Sequence, residues 1–356
     1  MARMEQLNGI DTPAMVIDLD IVRGNIARFQ SYADENGLKV RPHIKTHKLP
    51  MMAEWQLDAG AVGVTCQKTS EAEAMIAGSG KIRDVLLTYN IVGVQKLERL
   101  KALARKVKLA VTADGAEVID GLSAAFTGEP APLTVFVECD TGANRCGAGT
   151  PEKTEALVVR IINSPGLAFG GLMTYPPAGE EAAVESFMRE TIERLASRGI
   201  SVPVVTSGGT PSMMQAAKAP SVTEYRPGTY IYNDRSLVMR GACGWEDCAA
   251  TVLTTVVSVP AANRAIIDAG SKTLTSDLFG LTGYGHVQGR DDIAIDQLSE
   301  EHGRLVSSGP IGLHVGDRLR IVPNHVCVTI NMMDIVHLIE NGRARPVTVT
   351  ARGQVL

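Results

Sequence analysis

The chain has 356 residues, 45% hydrophobic and 21% charged, enough for an α/β barrel plus a smaller domain and too apolar for a disordered polypeptide. A formal charge of −4 with no long basic run argues against nucleic acid or an anionic membrane as partner. No eighteen-residue apolar run marks a membrane span, Met1–Gly9 lacks a secretion signal's apolar core, and six scattered cysteines read as reduced thiols, so a cytoplasmic protein is expected.

Short β-branched runs alternate with helical patterns up to about residue 235. The strands expected are Ala14–Asp18, Leu38–Lys45, Ala61–Cys66, Asp84–Tyr89, Lys108–Ala113, Leu133–Cys139, Ala168–Thr174 and Val202–Thr206. Helices are expected at Asp20–Asn36, Thr69–Ala77, Gln95–Lys106, Pro151–Ile162 and Glu181–Ser197, with Ser70 and Asp114 as N-caps. Eight strand–helix repeats predict a (β/α)8 barrel of the α/β class, and no G-x-G-x-x-G after the first strand favours a doubly wound sheet. Beyond Thr251 the helical period gives way to strand-like alternation at Thr251–Val259, Arg264–Asp268, Asp317–Val322 and His325–Asn331. The expected division is a barrel over 10–240 and a mostly β domain over 241–356 that also takes residues 1–9.

Three patterns carry chemistry. In Arg41-Pro42-His43-Ile44-Lys45-Thr46-His47-Lys48, strand alternation would turn Arg41, His43 and Lys45 to one face. Cations gathered inside a barrel need an anionic ligand, and an electropositive setting lowers a lysine pKa as Schiff-base chemistry requires. The alternative is a set of exposed loop charges. Ser207-Gly208-Gly209-Thr210 follows a late strand, where paired glycines and hydroxyls suit a phosphate, and Gly228-Thr229-Tyr230 could complete the cup; a structural turn is the alternative. His325-Val326-Cys327, read as strand, puts an imidazole and a thiol on one face to share a metal, or is a thiol beside a surface histidine. Arg145 and Tyr175 sit where loops leave barrel strands, whereas His286, His302, His314 and His337 offer no evident chemistry.

D-T-P at 11–13, R-P-H-I-K-T-H-K at 41–48, G-G-L-M-T-Y at 170–175, S-G-G-T at 207–210 and P-N-H-V-C at 323–327 occur in this order. Together they resemble the D-threonine aldolase and D-serine dehydratase group of fold-type III pyridoxal enzymes, related to alanine racemase. The resemblance implies a pyridoxal 5'-phosphate barrel with Lys45 as the Schiff-base lysine. It further implies a phosphate cup of Ser207, Gly208, Gly209, Thr210, Gly228, Thr229 and Tyr230, with His43 and Tyr175 near the cofactor. Arg145 would face the pyridine nitrogen, His325 and Cys327 would bind zinc, manganese or magnesium, and His47 is a candidate base. The implied reaction is retro-aldol cleavage of a small D-3-hydroxy amino acid to glycine and an aldehyde, by a homodimer. Aldolases of the group look like H-x-D at the metal pair and zinc dehydratases like H-x-C. Cys327 therefore keeps open elimination from D-serine or D-3-hydroxyaspartate to a 2-oxo acid and ammonia. A racemase, or a carrier of the cofactor without turnover, is more remote.

Overall fold

A computed structural model describes residue 7 and residues 9–356, which divide into two compact units. One comprises Ala27–Lys45, Leu49–Gly228 and Gln354–Leu356. Its eight strands are Lys39–Val40, Val64–Cys66, Asp84–Leu87, Lys108–Ala113, Leu133–Cys139, Leu167–Thr174, Val205–Gly208 and Glu224–Arg226, each parallel to its neighbours. The ring closes because the segment after Lys39–Val40 bonds to the next strand. Val62 N–H donates to Val40 O at 2.9 Å, Thr65 N–H to Pro42 O at 2.8 Å and Ile44 N–H to Thr65 O at 2.9 Å. This is the (β/α)8 barrel expected, and its interior packs Leu86, Phe136 and Met173 with Ala110 and Val204.

Local sequence explains much of this. The helix Pro151–Ile162 starts where Thr150 Oγ1 accepts from Lys153 N–H and proline occupies the first turn, and it buries Val158 and Ile161 against the sheet side. The glycine pair of G-G-L-M-T-Y is structural. Gly171 has φ +140°, a Cβ there would stand 2.0 Å from Val204 O, and the register with the strand Leu133–Cys139 shifts beside it.

The other unit holds the described residues up to Ile26, Thr46–Lys48 and Thr229–Gly353. Its sheet runs Ile293–Leu298, Gly303–Ser307, Arg264–Ile267, Ala250–Ala261, Ala14–Asp18, Ile335–Glu340 and Arg343–Thr348, while Arg318–Val322 joins Ala250–Ala261 to His286–Val287. Leu7, Ile10, Ala14, Val16, Leu253 and Ile339 form one of its buried clusters. Residues 1–6 and 8 of the segment assigned to this domain lie outside the described residues.

Several expectations are corrected. Ala14–Asp18 is not a barrel strand. It pairs antiparallel with Ala250–Ala261 and parallel with Ile335–Glu340, and a short, wholly buried apolar run has no period to reveal its sheet. The eighth barrel strand is Glu224–Arg226, unrecognised because two of its three residues are charged. The units divide near Thr229, where the sequence suggested 240, and the chain up to Ile26 goes with the β-rich unit. His325–Asn331 is not a strand: Val326–Met332 is helical, with His325 as N-cap. Ser70 and Asp114 do not cap. The helix N-caps are Lys68 and Gly115, Ser70 Oγ bonds Leu356 O, and Asp114 binds Asn90 and the Gly147 N–H.

Candidate active site

In the barrel unit Lys45 stands in a turn just after the first strand, half-buried, and not on the strand itself. Strand alternation therefore does not extend through this segment, and Arg41 separates from the other cations. Arg41 Nη1 bonds Asp84 at 2.6 Å and Nε bonds Glu224 at 2.9 Å, so its charge is matched inside the barrel. Burial alone would depress that guanidinium, but the two carboxylates hold it above its ordinary value. Arg41 is a structural residue. His43 remains close: its Nδ1 lies 3.4 Å from Lys45 N and its Nε2 3.0 Å from Gln67 Oε1. Gln67 Nε2 in turn donates to Thr88 O at 2.9 Å, so these contacts are satisfied together by an imidazole protonated on Nε2.

The glycine turn lies at the carboxyl end of the seventh barrel strand. Ser207 and Thr210 are buried, and Thr210 Oγ1 accepts from Gly228 N–H at 3.2 Å, which ties the turn to the segment after the eighth strand. Gly209 has φ +117°, and Tyr225 OH donates to its carbonyl at 2.9 Å. A left-handed glycine and two buried hydroxyls at strand ends are what a phosphate cradle requires.

Arg145 and Tyr175 also meet here. The guanidinium carbon stands 5.0 Å from the Tyr175 ring centroid, and Arg145 Nη2 lies 3.9 Å from Glu138 Oε1. Both rim residues are exposed. Beneath them, two groups that the sequence did not single out are buried. Arg226 donates to Thr206 Oγ1 at 2.7 Å and to Thr174 O at 2.8 Å, fixing the strand ends that carry Ser207 and Tyr175. Burial pulls it down to about 10, still protonated at neutral pH. Burial also raises the Glu138 carboxyl, with Arg145 and Arg226 opposing the shift.

The second centre lies within the β-rich unit. Cys327 Sγ is 3.2 Å from Thr46 Oγ1 and 3.6 Å from Thr229 Oγ1, and its thiol is near enough to raise the pKa of the His325 imidazole. Thr229, expected at the phosphate, thus has its hydroxyl beside the thiol. Tyr230 and His47 are buried in the same unit. The spacing i, i+2 still brings imidazole and thiol together, because His325 is the extended N-cap and Cys327 lies in the helix's first turn.

Asp277, missed in the sequence, orients the histidine: its Oδ2 is 2.8 Å from His325 Nδ1, and Phe279 stacks on the ring with centroids 4.4 Å apart. That leaves Nε2 for the thiol or a metal, and a carboxylate on the far ring nitrogen is the usual support of a metal-binding histidine. Burial pulls His325 down, but Cys327 and Asp277 outweigh it and push it up to about 9. Asp234 buttresses the arrangement by accepting from Val326 N–H at 3.1 Å. Among the described residues no group of three or more His, Cys, Asp and Glu is gathered as a metal site. The donor set therefore fits a metal with open positions better than a closed structural one.

His286 and His314 have partners after all, Trp245 stacked at 3.8 Å and Asp317 at 3.6 Å, and neither joins these centres. Among the described residues no helix is long and apolar enough to cross a membrane.

Two family models match the chain. "Alanine racemase, N-terminal domain" covers residues 17–236, and "Putative serine dehydratase domain" covers 249–339. The D-threonine aldolase of Arthrobacter sp. is 32% identical over 98% of this chain and 94% of its own length. The D-threo-3-hydroxyaspartate dehydratase of Delftia sp. (strain HT23) is 32% identical over 90% and 92%. The crystal structure of D-threonine aldolase from Filomicrobium marinum matches with a TM-score of 0.89 at 32% identity, over 97% of each chain. A barrel with a lysine after its first strand and a glycine cradle on a late one, followed by a β-rich unit bearing a His–Cys pair, accords with those matches: the chain belongs to the D-threonine aldolase and D-serine dehydratase family, on an alanine racemase-type barrel.

Proposed function

We propose that this chain is a pyridoxal-phosphate- and divalent-metal-dependent lyase that cleaves D-3-hydroxy amino acids to glycine and an aldehyde, working as a cytoplasmic homodimer. One observation carries the reading: Asp277 takes His325 Nδ1 at 2.8 Å, the imidazole and the Cys327 thiol influence each other electrostatically, and Cys327 Sγ lies 3.2 Å from the hydroxyl of Thr46, the residue that follows Lys45 in the chain.

The residues take the following roles. Lys45 carries the cofactor; Ser207, Gly208, Gly209, Thr210 and Gly228 hold its phosphate, with Thr229 and Tyr230 continuing that segment; His43 and Tyr175 flank it. Pyridoxal phosphate supplies, when bound, a sink for charge developing at the substrate's Cα. Arg145, on the rim, would meet the cofactor's ring, and Arg226, buried beside Gly208, keeps the supporting strand ends in place. His325 Nε2 and Cys327 Sγ would hold the metal, which supplies Lewis acidity toward the substrate's 3-hydroxyl. His47 accepts the hydroxyl proton in retro-aldol cleavage.

Cys327 favours a second reading, elimination to a 2-oxo acid and ammonia, in which Lys45 takes the α-proton. The two are separated by incubating the protein with D-threonine, pyridoxal phosphate and Mn2+ or Zn2+. Acetaldehyde and glycine in equal amounts are expected. 2-Oxobutanoate and ammonia would install the dehydratase reading, and no product from D-threonine, D-serine or D-phenylserine would defeat both.

A further inference from the structure

Two half-buried lysines stand over one tyrosine at the mouth of the barrel. Lys68 follows the strand Val64–Cys66 and Tyr89 follows Asp84–Leu87, at the strand ends where such barrels carry their active sites. Lys68 Nζ lies 3.7 Å from the Tyr89 ring centroid and Lys96 Nζ 5.9 Å from it. Among the described residues neither ammonium is in an ion pair. Acids on the adjoining loops are engaged elsewhere: Asp114 accepts from Asn90 and Gly147 N–H, and Asp140 accepts from the N–H groups of Gly142 and Asn144. Arg145 stands on the loop after the strand Leu133–Cys139 at the same barrel mouth, its guanidinium carbon 5.0 Å from the Tyr175 ring centroid.

Cation–π attraction holds the two ammoniums at the ring without neutralising either. Gathering like charges with no counter-charge is unfavourable, and an incoming anion would relieve it. The cluster also adjoins the residues around Lys45. Gln67, next to Lys68, binds His43, and its amide donates to the carbonyl of Thr88, next to Tyr89. The hydrogen-bond chain from the Lys45 backbone through His43 thus ends one residue short of both members of the pair.

We propose that Lys68 and Lys96, with Arg145 at the edge, form a subsite for a second carboxylate on the substrate, so that this chain prefers D-3-hydroxy amino acids with an acidic side chain. The proposal rests on the lyase reading above and narrows its substrate class. Lys68 and Lys96 are specificity residues in it and take no part in bond breaking.

The test uses the holoenzyme and the double variant Lys68→Gln, Lys96→Gln. The ratio of kcat/KM for D-3-hydroxyaspartate to that for D-threonine is expected to fall at least tenfold in the variant, mostly through KM. An equal fall for both substrates, or an unchanged ratio, would overturn the subsite.

A binding arm decides the matter even if nothing is turned over. By calorimetric titration, succinate should bind the wild type at least tenfold more tightly than the variant, while acetate should not discriminate between them. Inorganic phosphate weakened as much as succinate would mean a general anion patch, and would overturn the assignment to a substrate carboxylate. Relief of like-charge repulsion predicts an equal or higher thermal midpoint for the variant. A lower midpoint would mark the lysines as structural and count against the proposal.

Discussion

His325 and Asp277 show how a side chain far away in sequence completes a site. The imidazole could point either nitrogen at a metal until Asp277 takes Nδ1 at 2.8 Å and Phe279 stacks on the ring. Losing such a carboxylate costs about 10- to 100-fold in metal affinity. Asp277→Asn is therefore expected to weaken zinc or manganese binding by that factor, measured by titration with a competing chelator, while pyridoxal phosphate binding stays intact; unchanged metal affinity would remove Asp277 from the site. The H-x-C spacing was legible in the sequence, but 48 residues separate Asp277 from His325 and no pattern links them. The glycine turn and Lys45 were legible for the opposite reason, since each is a local motif placed by the strand before it. Arg41 looked like part of the cationic cluster because its partners, Glu224 and Asp84, are remote in the chain.

At the scale of elements, the eighth strand of the barrel is the instructive one. Glu224-Tyr225-Arg226 reads as a polar loop, yet all three residues are buried. The charges are admissible because each is matched: Glu224 with Arg41, and Arg226 with the Thr206 hydroxyl and the Thr174 carbonyl. Removing one partner of a buried ion pair typically costs about 3–5 kcal/mol, whereas exposed pairs cost at most about 1 kcal/mol. Glu224→Gln, which keeps the shape and removes the charge, should destabilise the barrel by about 2–3 kcal/mol, because Asp84 still offsets part of the Arg41 charge. Urea unfolding measures this, and a loss below about 0.5 kcal/mol would show that Arg41 does not need Glu224. The misplaced strand Ala14–Asp18 and the helix at Val326–Met332 share another cause. Short apolar stretches carry too few residues to fix a period, and their partners in the fold decide.

For the molecule as a whole, the sequence order barrel then β-rich domain held, while the β-rich unit also claimed the described residues up to Ile26 and the three residues after Lys45. Those three, Thr46–Lys48, begin immediately after the proposed cofactor lysine, and the chain returns to this unit at Thr229, just past Gly228. The proposed metal donors fall in the β-rich unit, whereas Lys45 and the cradle residues Ser207–Thr210 and Gly228 fall in the barrel unit, so loss of the metal and loss of the cofactor are expected to be separable. Chelation with EDTA should abolish lyase activity yet leave the visible absorbance of the bound cofactor and the far-ultraviolet circular dichroism unchanged, with activity restored by added Mn2+ or Zn2+. Loss of the cofactor absorbance on chelation would contradict that separation.

The central claim concerns one amine. Reducing the pyridoxal-phosphate-loaded protein with sodium borohydride, digesting it and sequencing the peptides by mass spectrometry should place a phosphopyridoxyl group on Lys45, with none on the Lys45→Ala variant. A label on another lysine, or no stable label on the wild type, would contradict it.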